Sequence, residues 1–158
     1  ERMVFKDLSF EVKAGETVAF VGESGSGKST IAKLVSRFYD VDSGAVSVDG
    51  VDVRELGVRE LRNNMAVVSQ EPLLFDTSVA RNIAQGAIDP DAVTPEQVEA
   101  AAVASDAHRF ISDASKFPQG YQTSAGARGS KLSGGQKQRV ALARGLVRNA
   151  PILVLDEA

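Results

Sequence analysis

Gly22-Glu23-Ser24-Gly25-Ser26-Gly27-Lys28-Ser29-Thr30 is the stretch whose residue types and spacing bear most directly on chemistry. It fits G-x-x-x-x-G-K-[ST], with Gly22, Gly27, Lys28 and Ser29 in the fixed places. Glycines let the backbone curl until successive N–H groups converge on an anion. A helix that starts there aims its N-terminal donors and dipole at the same point. In such a loop the Lys28 ammonium reaches the β- and γ-phosphates of a nucleotide, and the Ser29 hydroxyl ligates Mg²⁺. A glycine-rich turn entering a helix is the plainer reading, but the complete set of fixed residues and both flanks favour a phosphate loop.

Two other constellations carry compatible chemistry. Ile152-Leu153-Val154-Leu155 is apolar throughout and runs directly into Asp156-Glu157. That is the pattern of a buried parallel strand presenting carboxylates at its C-terminal edge, where open α/β sheets bind their ligands. Asp156 could hold Mg²⁺ through water, and Glu157 could orient or deprotonate an attacking water. Leu132-Ser133-Gly134-Gly135-Gln136 combines a local and a functional pattern. Ser133 and Gln136 have the spacing of a capping box. The glycines between them expose N–H groups at a helix start, a second anion site. Two such starts in one chain suggest two surfaces meeting over one nucleotide.

The elements that must position these groups follow from periodicity and turn residues. Val4–Val12 alternates as a half-buried strand does, Lys13–Glu16 is a turn, and Thr17–Val21 is the apolar strand leading into the phosphate loop. That strand and Ile152–Leu155 are expected in one mostly parallel sheet. A helix follows the loop over Ile31–Phe38. Asp49-Gly50 between Ala45–Val48 and Val51–Val53 signals a type I′ hairpin. Val58–Asn63 reads as a short helix and Met65–Val68 as a buried strand ending near Gln70. The chain then turns helical over Ser78–Gln85, from Thr94 to Ala104, and over His108–Ala114. Thr94-Pro95-Glu96-Gln97 is a strong helix start. A long loop reaches Lys131, and a helix from the Ser133 cap extends to about Asn149, with Arg144 and Arg148 suiting its dipole. Tyr39, Tyr121 and His108 read as packing, loop or helix-surface residues.

Composition sets the outer limits. The chain has 158 residues, 43% of them hydrophobic and 25% charged, which fits a globular domain. A net charge of −3 gives no dominant basic surface, so nucleic acid is not implied as a partner. The absence of cysteine excludes disulfides, zinc-thiolate sites and a cysteine nucleophile. No run has the apolar length of a membrane span. The chain begins at a strand and stops just after two site-edge acids, so both ends are expected to be cuts in a longer protein.

Taken together, the phosphate loop, Leu132–Gln136 and the Asp156-Glu157 strand resemble the nucleotide-binding domain of ATP-binding cassette (ABC) proteins, over essentially the whole chain. Gln70 matches that family's glutamine loop. Pro72–Ile83 and Leu132–Asp156 look like the exporter branch, closest to P-glycoprotein-like multidrug and peptide exporters. The resemblance implies an α/β fold: a P-loop NTPase core with a mostly parallel sheet, an antiparallel β N-terminal part and a helical insertion. It implies a core over residues 1–71 and 137–158, and a helical subdomain over 72–136. Gly22 to Thr30 would bind ATP, Lys28, Gln70 and Glu157 would act in catalysis with Glu157 as general base, and Ser29, Gln70 and Asp156 would serve Mg²⁺. Ser133, Gly134, Gly135 and Gln136 would contact ATP on a second, head-to-tail domain. Partner transmembrane domains and a place on the cytoplasmic side of a membrane follow from the same resemblance.

The residues also depart from the family. Its adenine-stacking aromatic would fall before Glu1 and its switch histidine after Ala158, so the piece alone is expected to be weakly active or inactive. Exporters usually carry Gly-Glu-Arg-Gly before the signature, where this chain has Gly126-Ala127-Arg128-Gly129. Two alternatives have weaker support: a soluble ATPase of the same type working on nucleic acid or ribosomes, and a regulatory cassette that binds ATP with little hydrolysis. The first would bring a long coiled coil or a basic linker, and neither is visible. The second would lack one of Lys28, Gln70, Ser133, Gly135, Asp156 or Glu157, all of which are in place.

Overall fold

The computed structural model describes residues 4–156. The chain divides into two compact units, Glu1–Val58 and Arg59–Ala158.

The first unit is built largely from turns. Lys13 and Glu16 close the expected turn, with Glu16 N donating to Lys13 O at 3.0 Å and Lys13 N to Glu16 Oε2 at 2.9 Å. Helix α1, Lys28–Val35, starts at the phosphate loop, earlier than the periodicity alone suggests. The hairpin forms as read: β1, Ser47–Val48, pairs antiparallel with β2, Val51–Asp52. Asp49 and Gly50 have φ of 51° and 80°, the two positive values that a type I′ turn demands. Arg37 fastens the end of α1 to the hairpin's exit, donating from Nη1 to Val53 O and Leu56 O, each at 3.0 Å.

Two expected strands of this unit are not formed. Val4–Val12 and Thr17–Val21 have extended sequence patterns but no ladder partner among the described residues. Phe10 and Phe20 meet edge to face at 5.0 Å, while Val21 is 94% exposed. Alternating or apolar sequence is a necessary condition for a strand. The ladder itself needs a neighbour that satisfies the backbone and covers the faces.

In the second unit, α2 (Val58–Asn63) leads into β3, Met65–Val68. β3 pairs in parallel with β4, Ile152–Leu155, in the register Met65↔Ile152 to Val68↔Leu155. β4 was expected to be buried throughout. Instead, its alternate residues Leu153 and Leu155 are 42% and 51% exposed, because among the described residues it has a single ladder partner. The helical part comprises α3 (Val79–Ala84), α4 (Pro95–Ala104), α5 (His108–Ile111) and α6 (Gly134–Val147), with 3-10 turns at Gly120–Gln122 and Ala127–Gly129. α5 is shorter than its pattern, which extended to Ala114.

α6 ties this unit together. Val140 and Ala143 join Val79, Ile83, Ala102 and Ile111 in the helical core. Gly145 lies against the strands: a Cβ there would sit 2.9 Å from Val68 Cγ2. Gly86, just beyond α3, approaches α6 so closely that a Cβ would overlap Arg144 O. Only glycine permits that crossing.

Candidate functional site

The phosphate loop is shaped by backbone conformations that glycine supplies. Gly25 and Gly27 have φ of 80° and 100°. A Cβ on Gly27 would also lie 2.7 Å from the Phe5 ring and 2.9 Å from Val4 Cγ1. Ser26 N donates to Glu23 O at 3.2 Å, closing a turn inside the loop. Lys28 Nζ donates to Gly22 O at 2.8 Å and Glu23 O at 2.9 Å, so the ammonium closes the loop over its own first carbonyls. Gly27 is the N-cap of α1, with no side-chain cap and no acid in the first turn. A helix start leaves N–H donors to be satisfied from outside. With a cation at its mouth, this loop is chemically suited to a polyphosphate, and its close approaches admit no larger residue at Gly27.

The second unit brings Gln70 and Asp156 to one strand edge. Asp156 immediately follows β4, and its N–H donates to Val68 O at 2.9 Å. Gln70 lies two residues past the end of β3 and is exposed. Parallel pairing in register therefore delivers both side-chain-bearing ends to the C-terminal side. Among the described residues no three His, Cys, Asp or Glu side chains gather as a metal cage. Within this unit the Gln70 amide and the Asp156 carboxylate offer hard oxygen ligands of the kind Mg²⁺ takes alongside phosphate and water. Glu157 lies outside the described residues.

The second helix start has the opposite construction. Ser133 Oγ accepts from Gln136 N at 3.3 Å, and Gln136 Oε1 accepts from Ser133 N at 2.9 Å, completing the expected capping box. Buried Leu132 anchors the start, while Gly134 and Gly135 are exposed, with open space where a Cβ would lie. The preceding loop turns through Gly126, Arg128 and Gly129 at φ of 73°, 52° and 71°. Ala127 and Arg128 form its exposed tip.

Two basic residues late in α6 hold this architecture through contacts beyond their own helix. Arg144 and Arg148 were read as complements to their own helix dipole. They bind carbonyls of other segments instead. Arg148 Nη2 donates to Arg62 O at 3.0 Å and Nη1 to Gly86 O at 3.1 Å, at the ends of α2 and α3. Arg144 donates to Asn82 and Leu73, and burial lowers its pKa. A signal was present for Arg144, which falls four residues after Val140 on the apolar face of α6. His108 Nδ1 and Tyr121 Oη lie 2.8 Å apart, and burial, with Glu99 nearby, pushes the Tyr121 pKa up to about 12.

A family model described as "ABC transporter" matches residues 5–158. "Multidrug resistance protein pgp-1" of Caenorhabditis elegans is 51% identical over 98% of this chain and 11% of its own length. "ATP-dependent lipid A-core flippase" of Haemophilus influenzae is 51% identical over the whole chain and 26% of its own length. Among solved structures, "Structure of a bacterial Atm1-family ABC exporter with ATP bound" aligns with a TM-score of 0.87 at 49% identity, over 95% of this chain and 25% of that one. The chain therefore spans about a tenth to a quarter of the length of these relatives.

Proposed function

The chain belongs to the ABC transporter family, and from that premise we propose that it is the ATP-hydrolysing cassette that drives export of a substrate across a membrane. The observation that carries this reading is the phosphate loop, with its uncapped helix start and its Lys28 ammonium over the loop mouth. The exporters and flippase among the relatives supply the direction of transport. Among the described residues no helix is long and apolar enough to cross a membrane. In the proposed reading this cassette works with partner transmembrane domains, on the cytoplasmic side.

In this reading, Gly22 to Thr30 wrap the phosphates of ATP, and Lys28 leaves its loop carbonyls to pair with the β- and γ-phosphates. Ser29, Gln70 and Asp156 would hold Mg²⁺, which supplies charge neutralisation along the phosphates. Glu157 takes the proton of the attacking water. Ser133, Gly134, Gly135 and Gln136 serve ATP bound on a second cassette arranged head to tail. The functional division is a core of 1–71 with 137–158 and a helical subdomain of 72–136. The 158 residues alone should turn over slowly, because Val21 and Leu155 stay exposed and no second cassette completes the site.

The test compares Glu157→Gln with Lys28→Ala in the native protein. The first should keep ATP binding and nearly abolish hydrolysis, since an amide cannot act as the base. The second should weaken binding itself, on the order of 10- to 100-fold for the loss of a charged hydrogen-bond donor. Hydrolysis near the wild-type rate in Glu157→Gln would remove Glu157 from its role.

A further inference from the structure

Residues Glu71–Phe75, directly after Gln70, form neither helix nor strand, yet they are tightly held. Arg144 Nη1 donates to Leu73 O at 2.8 Å. Phe75 N donates to Asn82 Oδ1 at 2.8 Å, and Asn82 Nδ2 returns a bond to Phe75 O at 3.0 Å. The two clamping side chains are themselves joined: Arg144 Nη2 donates to Asn82 Oδ1 at 2.7 Å and Nε to Asn82 O at 2.9 Å. The guanidinium also lies 5.3 Å from the centre of the Phe75 ring. Between these anchors, buried Leu74 points toward Gly129 in the loop before the signature, where a Cβ would meet Leu74 Cδ1 at 3.1 Å. One side chain of α6 and one of α3 thus fix the backbone on both sides of Leu74.

The chemistry of the clamp argues for more than packing. Asn82 is fully buried, and among the described residues Arg144 has no ion pair with a carboxylate. Its acceptors are a side-chain amide and two main-chain carbonyls. Arg144 is only half-buried, but desolvating even part of a charge against neutral acceptors is unfavourable, and an apolar residue would join two helices without that cost. What an apolar residue lacks is a forked set of donors able to fix a loop carbonyl and a neighbouring amide together.

We propose that Arg144, acting through Asn82, is the positioning residue for Gln70: it fixes Leu73–Phe75 so that Gln70 is held at the strand edge that also carries Asp156. The inference rests on the functional reading above for what Gln70 does there. It deepens that reading by assigning the Gln70 loop a restraint from the helix that begins at Ser133. Only Glu71 and Pro72 separate Gln70 from Leu73, whose carbonyl is fixed, so slack introduced at Leu73 passes directly to Gln70.

The experiment uses the native protein with Arg144→Lys, Arg144→Met and Asn82→Ala, read by ATP affinity, steady-state ATP turnover and amide hydrogen exchange. Exchange over residues 71–77 should accelerate in every variant while α4 stays protected. Turnover should fall about 10- to 100-fold, the usual cost of a small misplacement near the chemistry. ATP affinity, which depends on the phosphate loop, should change less than about 2-fold against the much larger loss from a charged donor. Arg144→Lys, retaining one point donor, should lie between wild type and Arg144→Met. Unchanged exchange over 71–77, or equal acceleration throughout α3, α4 and α6, overturns the proposal, the latter by showing a mere structural staple. So does joint loss of affinity and turnover. If Asn82→Ala does not fold, Arg144→Lys decides alone. A Gln70→Ala variant with normal turnover would instead defeat the functional reading of Gln70, and the exchange measurement would still decide whether Arg144 fixes the loop.

Discussion

Two helices in this protein begin beside glycines, and they begin in opposite ways. α1 starts at Gly27 in a left-handed conformation, with no side chain capping it. α6 starts at Ser133 in extended backbone, with Ser133 and Gln136 capping one another's main-chain donors. The difference teaches that a glycine-rich helix start is not one device. At α1 no side chain caps the start, and the Lys28 ammonium closes over the loop's own carbonyls. At α6 the protein caps its own start with Ser133 and Gln136 and still exposes Gly134 and Gly135. In the function proposed above, this self-capped start is the surface that meets nucleotide held by a second cassette.

The largest effect that can break this comparison comes from adding one methyl group at each start. Gly27→Ala forces an L residue to φ of 100° and drives a Cβ into Phe5 and Val4. It should cost about 2–4 kcal/mol of stability and abolish ATP binding. Gly134→Ala meets nothing within 4 Å and should leave thermal melting unchanged. Melting and ATP titration of both variants check this, and equal destabilisation would end the distinction.

A smaller effect separates the serines. Ser133→Ala removes a cap and should cost about 1 kcal/mol, a fall of roughly 2–4 °C in Tm. Ser29→Ala should instead weaken the Mg²⁺ dependence of ATP binding, measured by ATP titration at varied Mg²⁺. An unchanged Mg²⁺ dependence would remove Ser29 from that role, and an unchanged Tm in Ser133→Ala would discard the self-capped start.

The smallest effects come from pH and sharpen the contrast between the two units. Asp52, bonded to Arg54 at 2.6 Å, has its pKa lowered from 3.8 to about 2. Its contribution is present above the unfolded value and disappears as pH falls from 3.8 toward 2, a slight effect for so exposed a pair. Tyr121 runs the other way. Burial raises it from 10.0 to about 12, so the unfolded chain ionises first and stability declines as pH rises across that interval. Asp52→Asn should flatten the acid limb of a melting-against-pH curve and Tyr121→Phe the alkaline limb, and a variant that leaves its own limb unchanged would discard that assignment.

Much of the architecture was legible because its causes are local. Both capping boxes, the Asp49-Gly50 hairpin, and the bounds of α2, β3 and β4 all came through in the structure. Each depends on conformational limits or hydrogen bonds within a few residues. The phosphate loop was legible for the same reason, since its left-handed glycines and its lysine are neighbours in the chain.

What the chain could not declare locally was decided by distant partners. Val4–Val12 and Thr17–Val21 carry strand-like patterns, but no neighbouring ladder completes them among the described residues. β4 is apolar throughout and still half exposed, because burial depends on what lies alongside. Arg144 reads as an ordinary basic residue late in a helix until folding brings Asn82 and Leu73 to it, 62 and 71 residues away in sequence. Sequence by itself determined the turns, the caps and the residues able to grip phosphate, since covalent geometry and short-range hydrogen bonds act without regard to the rest of the chain. Tertiary structure alone decided which strands paired, which apolar faces were covered and which half-buried charge found acceptors, since each of those energies belongs to a contact and not to a residue.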